Sequence, residues 1–390
     1  DKQCDGKFSV ENRYDFLNLN TCRFLWKQVK FPTATDASNT TAQVLKQGEV
    51  QGSDVAAHSA GVLDIKTTIL PDADALFLTA IDRYGHELWR WTFPVNKLNQ
   101  ANEVLSPLSN KVTSTETENE LTVKAKNHTF IFSKKDGQLK GVSVNNRKIS
   151  FANGPRFIGA RRADRSLDQF YNHDDEKAKE KDRTYSEFPD AAVFTKLDVK
   201  EDGGNLIVTA NYKLGNLDKV QWTINPNGEA VLDYTYNFSG VVDLMGICFD
   251  YPEDQVISKR WLGAGPYRVW QNRIHGTQYD VWENDYNDPI PGETFTYPEF
   301  KGYFGSVSWM NIRTKEGTIS LTNETPDAYI GVYQPRDGRD RLLYTLPESG
   351  ISVLNVIPPV RNKVNSTDLC GPSSQPKWVN GPQSGRIIFR

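Results

Sequence analysis

Methionine is nearly missing from this sequence, with two residues in 390, and cysteine (four) and histidine (five) are scarce. Cys4, Cys22, Cys248 and Cys370 are too few and too scattered for a disulfide scaffold or a zinc site. Cys4 and Cys22 either pair, if two N-terminal strands are adjacent, or stay as buried free thiols. No segment approaches the ~18 consecutive apolar residues of a membrane helix, so no membrane span is expected. Charge of one sign is lacking too: the net charge of −3 supplies no field for nucleic acid or an anionic membrane. The chain opens Asp1-Lys-Gln-Cys4, without Met or a basic-then-apolar leader. That opening sets the expectation of a removed signal peptide or a piece of a longer protein, and of a secreted or periplasmic location. Sequon patterns at Asn39, Asn127, Asn237, Asn323 and Asn365 do not decide the compartment, because an Asn- and Thr-rich chain produces several by chance.

Aromatic residues are plentiful, at 11% with nine Trp and sixteen Tyr. Flat rings fill pleated sheets and also bind sugar faces. Period-two alternation dominates, as in Phe130-Ile-Phe132, Leu206–Tyr212, Ala230–Phe238 and Thr318–Thr322. Turn signals separate these runs: Lys135-Asp-Gly137, Glu201-Asp-Gly-Gly204, Asn225-Pro-Asn-Gly228, Lys315-Glu-Gly317 and Arg336-Asp-Gly338. Their glycines supply the positive φ that tight hairpins need. The pattern predicts an all-β, antiparallel fold. Polar turn formers interrupt it between residues 96 and 112, which predicts a small β-sandwich over residues 1–98, a linker over 99–111 and a large β-sandwich over 112–390. Strands are expected at Cys22–Val29, Ala75–Ile81 and Glu87–Phe93 of the first piece, with Trp26 as a core plug. The charged run His173–Arg183 reads as a solvated excursion or a short exposed helix.

One stretch is too particular for an ordinary loop: Trp261-Leu-Gly-Ala-Gly-Pro-Tyr-Arg-Val-Trp270-Gln-Asn-Arg273, followed by Tyr297-Pro-Glu-Phe-Lys-Gly302. It resembles the Trp-x-Gly-x-Gly-Pro motif in the C-terminal domain of family 2 glycoside hydrolases, the β-galactosidase family. Thr129–Leu139, continuing to Phe151-Ala-Asn-Gly-Pro155, is similar to the start of that domain. Glu11–Leu19, Phe24-Leu-Trp26 and Trp89-x-Trp91 look like the immunoglobulin-like domain that precedes it. The resemblance implies an immunoglobulin-like β-sandwich followed by a galactose-mutarotase-like β-supersandwich, the small-chain domain of split β-galactosidases. Two departures bear on specificity. Arg161-Arg-Ala-Asp-Arg-Ser-Leu-Asp168 stands where the family carries Arg-Ala-Pro-Thr-Asp-Asn-Asp, and Tyr267–Arg273 stands where Glu or His followed by Asn-Tyr-Pro-Asp-Arg is usual.

Glycoside hydrolysis needs two carboxyl groups flanking the bond. In the family both lie on a preceding β/α barrel, and no βα alternation of that kind occurs here, so no catalytic residue is expected in this chain. The resemblance implies a non-catalytic C-terminal part, or accessory subunit, of a β-galactosidase-like hydrolase, partnered by a catalytic β/α-barrel domain or subunit. A free-standing carbohydrate-binding protein and a mutarotase-like epimerase are the competing readings. The epimerase would need a histidine acid and a glutamate base, and His128, His173 and His275 are its only candidates in the large piece. Trp270, Arg273, Tyr279, Trp282, Glu283 and Trp378 are the candidate carbohydrate-binding residues, for a galactoside or a plant or host glycan. Rings stack on a sugar's C–H face while polar groups take its hydroxyls. Tyr297, Phe300 and Tyr303 would extend that platform. Trp261, Gly263, Gly265 and Pro266 are assigned a structural role, the glycines for close backbone approach or positive φ. Asp280, Glu283, Asp285 and Asp288 make an acidic cluster without the spacing of a calcium loop. Neither a metal nor a cofactor is expected.

Overall fold

The computed structural model describes residues 5–36, 41–95, 111–162, 185–188, 190–284, 302–332, 347, 349–359 and 371–390. The protein is all-β, with no α-helix among the described residues. The charged run 173–183, Cys4, Cys370, Asp285, Asp288, Tyr297, Phe300 and the expected linker, apart from Lys111, lie outside them. Two compact units are present: Asp1–Asn102 with Gln278–Trp282, and Glu103–Thr277 with Glu283–Arg390.

The first unit carries β1 (Lys7–Glu11), β2 (Arg23–Lys30), β3 (Gln43–Gln51), β4 (Ala60–Asp64), β5 (Ala75–Ile81) and β6 (Glu87–Pro94). β1 pairs with β4, and a second sheet runs in the order β3-β2-β5-β6. Alternation along β2 turns Phe24 and Trp26 inward, where they meet Leu63, Leu76, Leu78 and Ala80. Trp26 is only 6% exposed, as its reading as a core plug required. Burying each such side chain stabilises the unit by about 1.5–3 kcal/mol. The buried amide of Gln28 donates to Thr68 O (2.8 Å) and accepts from Leu70 N (2.7 Å), so its polar ends are not orphaned. Cys22 is a buried free thiol beside the Tyr14 hydroxyl, 3.8 Å away.

The first sheet of the second unit uses β7 (Thr113–Glu116), β8 (Glu120–Ala125), β9 (His128–Ser133), β10 (Leu139–Val144), β11 (Arg147–Ile149), β12 (Ala152–Arg162) and β13 (Tyr185–Glu187). Next in the chain come β14 (Val193–Asp202), β15 (Asn205–Lys213), β16 (Leu217–Ile224), β17 (Ala230–Val242), β18 (Leu244–Asp250), β19 (Val256–Gly265) and β20 (Gln278–Asn284). The last are β21 (Trp309–Thr314), β22 (Gly317–Asn323), β23 (Tyr329–Val332), β24 (Ile351–Val356) and β25 (Lys377–Phe389). One sheet follows β23-β24-β18-β12-β10-β9-β8-β7, and the facing sheet contains β14-β15-β16-β17-β25-β22-β21-β19. Along β17, Ala230, Leu232, Tyr234 and Tyr236 are buried while Val231, Asp233 and Thr235 face outward. Aromatic pairs tie the two layers. Phe157 of β12 meets Tyr236 at 5.3 Å, and Phe249 of β18 meets Phe389 of β25 at 5.8 Å.

Candidate functional site

The Trp261 motif is the end of β19, and it points into the core. Trp261 has no exposed surface. Its Nε1 donates to Ala264 O at 3.0 Å, and its ring meets Phe304 edge-on at 4.8 Å. A Cβ on Gly263 would stand 3.0 Å from Gly305 O and from Val307 Cα, so the neighbouring backbone occupies the space a side chain would need. Of the two alternatives for the glycines, close approach holds at Gly263, and neither Gly263 nor Gly265 adopts positive φ. The Gly154–Pro155 and Gly265–Pro266 peptide bonds are both cis.

Beyond Pro266 the chain makes a tight turn. Arg273 N donates to Trp270 O at 2.8 Å, and the polar residues between them reach away from it. Gln271 Nε2 donates to Ser373 O (2.9 Å) and Gln375 O (2.6 Å), and Asn272 Nδ2 donates to Ser374 Oγ (3.1 Å). The turn is therefore fastened to the segment leading into β25, whose second residue is Trp378. That indole is 70% exposed, and Tyr267 (64%) and Ile274 (42%) are also open to solvent. Arg273 and His275 are exposed on the same turn. A fixed backbone presenting rings and a guanidinium to water can stack a sugar face and hydrogen-bond its hydroxyls.

The structure separates the other candidates. Trp270 is 4% exposed, edge-on to Tyr303 at 5.5 Å, in a core with Leu244, Cys248, Val269 and Leu354. Its expected place on a sugar platform is corrected, and so is that of Tyr303, which is 1% exposed. Both rings pack on the β12–β18–β24 sheet, against Ile158, Ala160, Leu244, Cys248 and Leu354, and this burial removes them from display to solvent. Tyr279 packs edge-on against Phe31 at 5.6 Å, and Trp282 donates its Nε1 to Gln278 O at 3.0 Å. Asp280 pairs with Arg90 at 2.9 Å, with both side chains largely buried. Burial pushes the Asp280 carboxyl above its ordinary pKa against the opposing pull of the Val281 amide and Arg90. These three residues belong to the first unit, and Glu283 is exposed in the second. Asp285 and Asp288 of the acidic cluster lie outside the described residues, and among the described residues no group of three or more His, Cys, Asp or Glu side chains is placed to hold a metal. His128 is half-buried, burial lowers its pKa, and its Nδ1 has no hydrogen-bond partner. Sequence reasoning missed Gln271 and Asn272, whose only signal was two amides set between Trp270 and Arg273.

Comparison with known proteins agrees with the motif. The beta galactosidase small chain family matches residues 124–356, more than half of the 390, and the chain belongs to that family. No curated protein sequence matches it. Among solved structures it resembles a galactose 1-epimerase from Lactobacillus acidophilus (10% identity, TM-score 0.40), covering 72% of this chain and 98% of that one. A putative aldose 1-epimerase from Escherichia coli K12 shows 11% identity and a TM-score of 0.33 over the same shares, 72% and 98%. A copper-containing benzylamine oxidase from Hansenula polymorpha is similar at 7% identity and a TM-score of 0.28, over 98% of this chain and 77% of that one.

Proposed function

We propose that this chain is the non-catalytic C-terminal part, or an accessory subunit, of a β-galactosidase-like glycoside hydrolase. On this reading residues 1–98 are the immunoglobulin-like sandwich, 99–111 a linker and 112–390 the mutarotase-like supersandwich. Both carboxyl groups of the reaction come from a β/α-barrel partner domain or subunit. The observation that carries the proposal is the family match over residues 124–356. The turn at Trp270–Arg273, fastened to the segment before Trp378, supports a role in lining the sugar site.

Two measurements test it. The purified chain with 4-nitrophenyl β-galactoside should give no turnover; turnover that a single carboxylate substitution abolishes overturns the proposal. On an array of β-galactosides, the chain should bind and Trp378→Ala should bind about tenfold more weakly, because the exposed indole contributes through the ligand alone. Equal binding by both proteins would remove Trp378 from the site. The same reading puts the protein in a secreted or periplasmic compartment, which fractionation of producing cells tests.

A further inference from the structure

We infer that the cleft between the β9–β10 hairpin and the β14–β15 pair of the second unit is a separate subsite for a neutral pyranose sugar. The inference rests on the carbohydrate reading above but uses none of its residues. The cleft has a volume of about 330 Å³, at the small end of ligand sites, and its chemistry comes from Lys135, Asp136, Arg156, Asp190, Phe194 and Tyr212.

Its aromatic wall is held from behind. Gly137, at the tip of the hairpin, has φ +74°, and a Cβ there would lie 2.7 Å from both the Phe194 ring and Ala210 Cβ. The hairpin backbone is thereby pressed against Phe194, whose ring meets Tyr212 edge-on at 5.9 Å. Tyr212 in turn donates its hydroxyl to Asp136 O at 2.9 Å, which ties the wall back to the hairpin.

Three of the charged groups, Arg156, Asp136 and Asp190, are held in place, while Lys135 stands exposed at the rim. Arg156 is clamped by Asp250 at 2.7 Å. Asp136 is held by Lys140 at 2.7 Å and by the Gln138 amide at 3.1 Å. Burial opposes ionisation of Asp136, yet Lys140, the Gln138 amide and the Ser133 hydroxyl keep its pKa below the ordinary value. Asp190 Oδ1 accepts from Ala192 N (3.1 Å) and Asn216 N (3.0 Å). Side chains ordered before binding lose little entropy on contact with a ligand. The two cations and two carboxylates in the cleft cancel. No net field then favours a phosphate or a uronate. Donors and acceptors together beside an aromatic wall instead match hydroxyl groups, which both donate and accept, on a ring with one apolar face.

The test is an amide NMR titration of the full chain with D-galactose and with lactose, and separately with inorganic phosphate. Sugar should shift the amides of Asp136, Gln138, Ala192 and Asn216. Lys135→Ala, at an exposed position, and Phe194→Ala should each weaken binding about tenfold or more. The unchanged dispersion of the Lys135→Ala spectrum reports that the fold is intact. Shifts confined to the turn at Arg273 and Trp378, untouched by both variants, overturn the cleft while leaving the carbohydrate reading standing. Failure of either sugar to shift the cleft amides overturns the cleft as well, and the array with Trp378→Ala then decides the carbohydrate reading independently. A stronger response to phosphate than to sugar at these amides refutes the neutral ligand.

Discussion

Replacing Trp261 by Phe separates a structural motif from a ligand-binding one. The native indole is fully buried, donates to Ala264 O at 3.0 Å and contacts the Phe304 ring edge. Phenylalanine keeps an aromatic contact but removes the N–H, leaving the Ala264 carbonyl without that donor. The lost hydrogen bond costs about 1 kcal/mol, rising to ~3 if the carbonyl cannot find another partner. The void left by the smaller ring adds about 1–2 kcal/mol, because β19 is packed on both sides and relaxes only partly. Trp261→Phe should therefore destabilise by about 2–4 kcal/mol, and Trp261→Ala by about 3–5. Urea unfolding followed by far-UV circular dichroism measures this, since the signal does not depend on the substituted indole. A two-unit chain need not unfold in one step, so the comparison belongs to the transition that Trp261→Ala displaces. Unchanged stability in Trp261→Phe, together with loss of β-galactoside binding, would refute the reasoning and place the indole in the sugar site.

Two further outcomes follow from burial. Because Asp280 has a raised folded-state pKa, its protonated form is favoured by folding; that contribution is full below the unfolded value and is lost as pH rises through the folded one. The stability advantage of the native chain over Asp280→Asn should thus shrink as pH rises past the ordinary carboxylate pKa and through the raised folded-state one, and an advantage that grows with pH would mean the Arg90 pairing outweighs burial. Among the sequons, Asn237 is exposed, whereas the Asn323 amide is used internally, donating to Val307 O (3.0 Å) and Thr325 O (3.2 Å). Secretion from a glycosylating host followed by peptide mass spectrometry should find glycan at Asn237 and none at Asn323.

The strands were legible because their cause is local. Alternation predicted Leu206–Tyr212 and Ala230–Phe238, and the strands span Asn205–Lys213 and Ala230–Val242. The last is longer because pairing with β25 continues to Val242 opposite Lys377, a partner that local periodicity does not contain. The turns at Asp136-Gly137 and Asn227-Gly228 were equally legible, and both glycines adopt positive φ.

The sequence by itself determined an all-β chain, the places of its turns, and the motif that marks its family, because a two-residue period and a glycine's freedom are properties of neighbouring residues. Only the tertiary structure decided which rings are core and which are surface. Trp270 and Trp378 carry the same side chain in similarly polar surroundings, yet one is 4% exposed and the other 70%. Burial depends on contacts made across the fold, with Leu354 packing in the core that holds Trp270 and Gln271 gripping Ser373 from 102 residues away. Close packing and hydrogen-bond satisfaction at such separations are set by how distant segments of the chain come together, and no short stretch of sequence holds that information.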